Sequence, residues 1–365
     1  MFQKVDLNQF LFNGVTLIVI LSCYFVDRSF TFKDVAKYVD LIFYAILVII
    51  NLIFFIINGV SRYDFKYFVL IFLSLIPPLF FRGYLNFHWL YVVVFFIVLR
   101  ISYTPSNKFM TIILFLCLIS VAVQMYVYKS SDGRPTLSIE DPNYSSYFVA
   151  ILMMLSLAYN KKFIFISLTL LATLMISRVF FLWLSFFMGL YFLRSYFNKL
   201  PRISSFLYFI IIIFVPIFFS LAFVYFVPEI SVIYSSDYSR LTSISDKSNL
   251  DRALANLYYI NSIFESPVNL FSGFDFESYT ENIFYNTPHA SIYSTLFNYG
   301  IFFVLIEIFL FKKYFRKITK YYLSYAFMIS WIVWQCFLGG VLFGPQIILL
   351  AIIINSFNKY NIYIK

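Results

Sequence analysis

The chain has 365 residues, of which 62% are hydrophobic and 12% charged, and its mean hydropathy is +0.85. A soluble fold of this length could not bury so much apolar surface, and a disordered chain would carry far less of it, so both classes are excluded. The formal net charge of +10 does not call for a nucleic-acid partner, because basic residues in a membrane protein collect on one side of the bilayer.

The remaining fold class is an all-α polytopic membrane protein, since each spanning helix needs about 20 mostly apolar residues. Apolar runs between polar breaks predict twelve transmembrane helices, at roughly 9–26, 39–57, 67–81, 84–99, 109–127, 143–159, 163–177, 179–194, 204–227, 289–311, 322–338 and 342–357. The breaks at Ser177-Arg178 and Gly339-Gly340 are the least marked, so the count ranges from ten to twelve. No small-residue cleavage site follows the first run, which therefore reads as a retained span. Phe (50) and Tyr (31) are abundant; both use AT-rich codons, as do Ile, Asn and Lys, which gives the excess a reading with no function attached. Cys23, Cys117 and Cys336 each lie inside an apolar run, without the pairing or spacing of a disulfide framework or zinc site.

Orientation follows from the stretch between Lys312 and Lys320, which holds five basic residues and no acid. Placing it in the cytoplasm puts both termini there as well. That side then holds 17 of the 27 basic residues and only two of the 17 acids, Asp6 and Asp64. The whole chain, 1–365, reads as a single membrane domain, with one large outer loop at 228–288. Ser248 or Asn249 caps a predicted helix from about Leu250, and Ser266-Pro267 ends it. Leu250, Leu254, Leu257 and Phe264 fall on one face and Arg252 roughly opposite, as in a helix lying on the membrane surface.

The residues able to carry chemistry are few. Arg178 is flanked by apolar runs on the outer side, a costly position unless it faces a cavity, an anion or a carboxylate; the plain alternative is an Arg snorkelling to lipid phosphate. Arg240 and Arg252 lie in the outer loop, where the alternative is solvated charge beside Asp237, Asp246 and Asp251. Guanidinium groups hold phosphate oxygens through paired hydrogen bonds and keep their charge, so two or three of them suit a diphosphate held without metal. His289, after Pro288 at the outer mouth of the tenth span, is the natural general base, because an unperturbed imidazole titrates near about 6.5. His88, beside Trp89, reads as part of an aromatic belt. Asp141-Pro142-Asn143 is a helix-start signal, and Asp141, Asn143 and Tyr293 are secondary candidates for contacting substrate. Glu307, the one acid well inside an apolar run, is expected near the cytoplasmic end of its span within reach of Lys312 or Lys313; an ion-coupled transporter needs several intramembrane acids, and a single one near an end argues weakly against transport. There is no nucleotide-binding, metalloprotease or nucleophile-elbow motif, and no cofactor or metal is expected.

The layout resembles the bacterial O-antigen polymerase (Wzy-type) family, related to the O-antigen ligases. The resemblance rests on Asp141-Pro142-Asn143 at the start of a middle span and Ser177-Arg178 at the outer end of another. It continues with Asp251-Arg252, Ile260 to Glu265, Pro267 and Ser272-Gly273-Phe274 in the loop, with Arg240 as a more variable loop Arg, and with His289 followed by Asn298-Tyr299-Gly300-Ile301. Two positions depart from the family pattern: Ala290 replaces a frequent Asn, and Ser272 one of two glycines. The resemblance implies a lipid-diphosphate-dependent glycosyltransferase in the bacterial inner membrane. Its site would be periplasmic, and it would polymerise undecaprenyl-diphosphate-linked oligosaccharide repeat units. In that reading Arg178, Arg252 and Arg240 bind the diphosphate and His289 is the catalytic base. The partners implied are membrane lipid, the lipid-linked oligosaccharide and a polysaccharide chain-length regulator, with no nucleic acid. The rival readings are a ligase of the same fold, a lipid-linked oligosaccharide flippase or other transporter, and a structural membrane protein without chemistry.

Overall fold

The computed structural model describes residues 7–25, 42, 45–46, 48–49, 53, 62–83, 89–101, 104–131, 133–138, 141–193, 203–226, 247–274, 290–318, 322–338 and 345–360. The fold is all-α, with thirteen named helices among the described residues: α1 (Leu7–Phe25), α2 (Arg62–Arg82), α3 (Trp89–Ile101), α4 (Asn107–Val127), α5 (Pro142–Ala158), α6 (Lys162–Leu174), α7 (Arg178–Leu193), α8 (Ser205–Phe226), α9 (Lys247–Glu265), α10 (Pro267–Ser272), α11 (Ser291–Ile318), α12 (Tyr322–Phe337) and α13 (Gln346–Tyr360). Positions 42, 45–46, 48–49 and 53, inside the expected second span, are also helical. Residues 128–138 carry an isolated antiparallel bridge between Lys129 and Pro135.

Among the described residues, four helical stretches are long and apolar enough to cross a membrane: Phe65–Arg82, Asn107–Val127, Ser205–Ala222 and Ser291–Lys317. Six shorter apolar helices accompany them. The exposed surface gives the same membrane reading independently. In α4, Met110, Leu114, Cys117, Val121 and Met125 form one buried stripe. Its other side exposes Ile112, Phe115, Leu116, Ile119 and Val123. A helix that is apolar on both faces but buried on one has hydrocarbon, not water, on the other. The exposed Phe214 and Phe218 of α8, and Phe72, Leu73, Ile76 and Phe80 of α2, repeat the pattern.

The interior is built by helices buried all round. From Ser145 to Ser156 every residue of α5 is buried, and so is every residue of α12 from Leu323 to Cys336. The helix α5 packs on α6 and α13, α12 on α7 and α8, and α13 on α3. Aromatic rings tie α5, α7 and α12 together. Tyr147 meets Trp331 and Trp334 at centroid distances of 5.0 and 5.2 Å, and Trp183 of α7 meets Trp334 at 6.1 Å. The three cysteines are buried thiols on α1, α4 and α12.

A second, smaller apolar cluster sits beside this core. It joins Tyr259 of α9 to Ala290, Tyr293 and Phe297 at the start of α11, with Ile213 and Ile217 of α8 against them. The leucine stripe of α9 is not its buried side: Ala253, Ala255, Asn256, Tyr259 and Ser262 face inward, while Leu254 and Leu257 are only half-buried and Phe264 is 80% exposed, the arrangement of a helix whose large apolar residues face away from the protein. Small residues let α9 lie close on α8, where Asn256 donates to Ser220 Oγ at 3.3 Å, and the large apolar residues are left to face outward. One expectation is corrected here: α11, predicted as a single span, is not one continuous rod. It is broken at Gly300, whose backbone is non-helical at φ 72° and ψ −179°.

Candidate functional site

Two junctions gather the residues singled out by sequence. At the first, Asp141 caps α5, its carboxylate accepting from the amides of Asn143 (2.6 Å) and Tyr144 (3.3 Å), and Pro142 occupies the first turn, where its missing N–H costs nothing. Three residues, Met175, Ile176 and Ser177, separate α6 from α7. Ser177 caps α7, its Oγ accepting from the Phe180 amide at 3.3 Å, and the same hydroxyl donates to Asn143 Oδ1 at 3.0 Å. The two motifs lie 34 residues apart in sequence and share a hydrogen bond here. Arg178 follows as the half-buried first residue of α7. The N-termini of α5 and α7 thus converge beside a guanidinium; the first amides of α5 are taken by Asp141, so the features there that suit an anion are the Arg178 charge and the positive end of α7.

Arg134 joins the same junction. Its Nη1 donates to the carbonyl of Ile176 at 3.0 Å. The sequence analysis did not single it out, although it is, like Arg178, an arginine at the polar end of apolar segments.

At the second junction α10 meets the break in α11. The Phe274 amide donates to Phe297 O at 2.8 Å. Arg82, at the end of α2, donates from Nη1 to Asn298 O at 2.8 Å. The break deprives those two carbonyls of their helical partners, and the loop amide and the arginine replace them. The approach is so close that only glycine fits. A Cβ on Gly300 would lie 2.1 Å from Phe271 O, and one on Gly273 2.4 Å from Phe297 O. The Ser272-Gly273-Phe274 turn and the Asn298-Tyr299-Gly300 segment therefore interlock. Arg82 is a further residue that sequence reading missed.

The remaining candidates divide. Arg252 is half-buried on α9 and shares a helical face with Asn256 and Tyr259, the face turned to α8 and the start of α11. Arg178 belongs to α7, which packs on α12, α5 and α6, whereas α9 packs on α8, α10 and α11. Tyr293 is buried, and its hydroxyl donates to the carbonyl of Ile213, close to Pro216 in α8. His289, Arg240, His88 and the break at Gly339-Gly340 lie outside the described residues. Ala290, next to His289 in the chain, is fully buried in the cluster around Tyr259.

Glu307 occupies a different place from the one expected. It is 8% exposed and its Oε2 makes no hydrogen bond. Lys313 Nζ sits over the Tyr67 ring, 4.0 Å from its centroid, because α2 packs alongside α11 and offers that ring. Glu307 instead lines a cavity of about 30 Å3 with Tyr208, Phe311, Trp331 and Gln335, above the ~10–15 Å3 that one water needs. Among the described residues, no three His, Cys, Asp or Glu side chains are grouped to hold a metal.

Compared with known proteins, the chain matches no family model, no curated protein and no solved structure.

Proposed function

We propose that the chain is a polytopic inner-membrane glycosyltransferase that polymerises undecaprenyl-diphosphate-linked repeat units of a surface polysaccharide, in the manner of the O-antigen polymerases it resembles. In this reading the apolar helices make twelve crossings, both termini are cytoplasmic and the reaction takes place at the periplasmic face. The observation that carries the proposal is the pairwise meeting of motifs far apart in sequence. Asn143 accepts from Ser177 directly before Arg178, and Phe274, after Gly273, donates to Phe297, directly before Asn298.

The chemistry follows from the residue types. A sugar hydroxyl of the acceptor attacks the anomeric carbon of the donor. The C–O bond to the lipid diphosphate breaks and the leaving oxygen keeps the electron pair. Arg178 and Arg252, with Arg240, bind the diphosphate and offset the charge that builds on it. His289 takes the proton from the attacking hydroxyl. One displacement inverts the anomeric centre. Asp141 and Asn143 position the first turns beside Arg178, and Tyr293 braces α11 against α8.

The test is surface polysaccharide from a deletion strain, followed by purified protein with lipid-linked units and no added divalent metal. Capping with a single repeat unit is expected. No surface sugar at all would indicate a flippase, and accumulated lipid-linked polymer a ligase. Among variants, Arg178→Lys and Arg252→Lys should hurt nearly as much as Arg→Ala, because Lys cannot make the forked contact. His289→Gln should leave inserted protein with activity down by about 10²–10⁴-fold; near-normal polymer from it removes His289 from the mechanism.

A further inference from the structure

We infer that Arg134 is a positioning residue for Arg178: it holds the left-handed turn at Ile176 from which α7 starts. The inference rests on the role proposed for Arg178. Residues 128–131 and 133–138 pair as the two arms of a hairpin in which Ser130 N donates to Arg134 O at 2.9 Å and Arg134 N to Ser130 Oγ at 3.2 Å. This hairpin is anchored on both flanks. Leu137 N donates to Ser145 Oγ of α5 at 3.1 Å, and Ser138 N to Gln124 Oε1 of α4 at 3.1 Å. The backbone of Arg134 is thus fixed relative to the bundle, and its Nη1 reaches Ile176 O at 3.0 Å.

Ile176 has φ 50°. A β-branched side chain rarely adopts that conformation, and it persists only where the surroundings over-determine it. Two bonds hold it here: its own amide donates to Thr173 O at 3.2 Å, and its carbonyl accepts from Arg134. The next residue, Ser177, carries both the cap of α7 and the bond to Asn143, and Arg178 comes directly after. Without Arg134 the turn can relax towards negative φ, and the first turn of α7 moves with it. A single carbonyl needs a single donor, so Lys can serve at position 134, whereas the diphosphate at position 178 needs the fork.

The experiment uses purified full-length protein and undecaprenyl-diphosphate-linked units extracted from the deletion strain. Arg134→Ala should insert at a normal level, lower kcat by about 10²-fold, and leave KM within about threefold. Arg134→Lys should keep most of the activity. Adding Ile176→Gly or Ile176→Asn to Arg134→Ala should restore kcat, because both residues accept positive φ unaided. Normal turnover from Arg134→Ala, or failure of both second-site changes to rescue, overturns the inference. Hydrogen exchange reads the same point without catalysis. The amides of Phe180 and Phe181, which donate to Ser177, should exchange faster in Arg134→Ala and recover with Ile176→Gly. Unchanged exchange there would sink the positioning role even if the polymerase reading stands. Normal polymer from Arg178→Ala would sink the polymerase reading, and the exchange result would still judge Arg134.

Discussion

The two junctions that gather the candidate residues are held by different means. At the start of α7 the contacts are made by side chains: Ser177 to Asn143, Arg134 to Ile176, Asp141 to its own helix. At the break in α11, apart from the bond of Arg82 to Asn298 O, the contacts are backbone against backbone, with Phe271 O 2.1 Å from where a Cβ of Gly300 would be and Phe297 O 2.4 Å from where one of Gly273 would be. Side-chain contacts bring the polar ends of two helices and Arg178 together, which is what a binding site needs. Backbone contacts leave nothing to spare, and so serve as a rigid support that fixes where α9, α10 and the start of α11 stand. The difference predicts that the second junction should be the less tolerant of substitution and the first the more sensitive in activity.

Gly300→Ala is the strongest way to break that comparison. It combines φ +72° with a contact of 2.1 Å to a carbonyl oxygen, so a loss above about 3 kcal/mol is expected. Thermal unfolding in detergent should show a large drop, or no folded protein at all; an unchanged midpoint would mean that the interlock is not what holds α10 to α11. Gly273→Ala, at φ +77° and 2.4 Å, should follow closely. Arg82→Ala should cost about 1–3 kcal/mol, the range for stripping a buried carbonyl of its donor, since it strands Asn298 O. If Arg82→Ala proves as damaging as Gly300→Ala, a side chain and not the backbone would be the dominant tie.

Much of the helix layout was legible because its signals are local. Asp141-Pro142 starts α5 and Ser266-Pro267 separates α9 from α10 by capping and proline chemistry that acts within one turn. The faces were harder. The leucine stripe of α9 carried a periodic signal, but the small residues opposite it, Ala255, Asn256 and Ser262, which allow close packing on α8, carried none. The break at Gly300 was not legible either, since its cause, the carbonyl of Phe271, lies 29 positions earlier in the chain. The same limit applies to the candidate site. Asp141-Pro142-Asn143 and Ser177-Arg178 each carried a local signal, but their mutual hydrogen bond did not, and Arg134 and Arg82 acquire meaning only from the carbonyls they reach.

Two smaller effects sharpen the comparison further. Ser177→Ala removes a helix cap and the partner of Asn143, for about 1–2 kcal/mol. Polymer yield should fall by more than that loss of folded protein explains, because the first turn of α7 carries Arg178. If yield merely tracks the amount of folded protein, the junction is structural and not part of the site.

Glu307→Gln should have the smallest effect. Glu307 lies in the segment of α11 beyond the break, away from both junctions, and its Oε2 makes no hydrogen bond. Its neighbours in the cavity are Gln335, Tyr208 and the rings of Phe311 and Trp331. Tyr208 already donates to Gln335 Oε1 at 2.9 Å, so the polar pair beside it is satisfied without the acid. An amide keeps the volume and the shape, and replacing an unpaired buried acid by a neutral isostere removes a desolvation cost without removing an ion pair. The expected change in stability is therefore within about 1 kcal/mol, with normal polymer. Glu307→Ala should cost more, because it enlarges a cavity already present. Loss of polymer from Glu307→Gln with the midpoint unchanged would tie this cavity to the reaction and end the division of the molecule into one side-chain-held site and one backbone-held support.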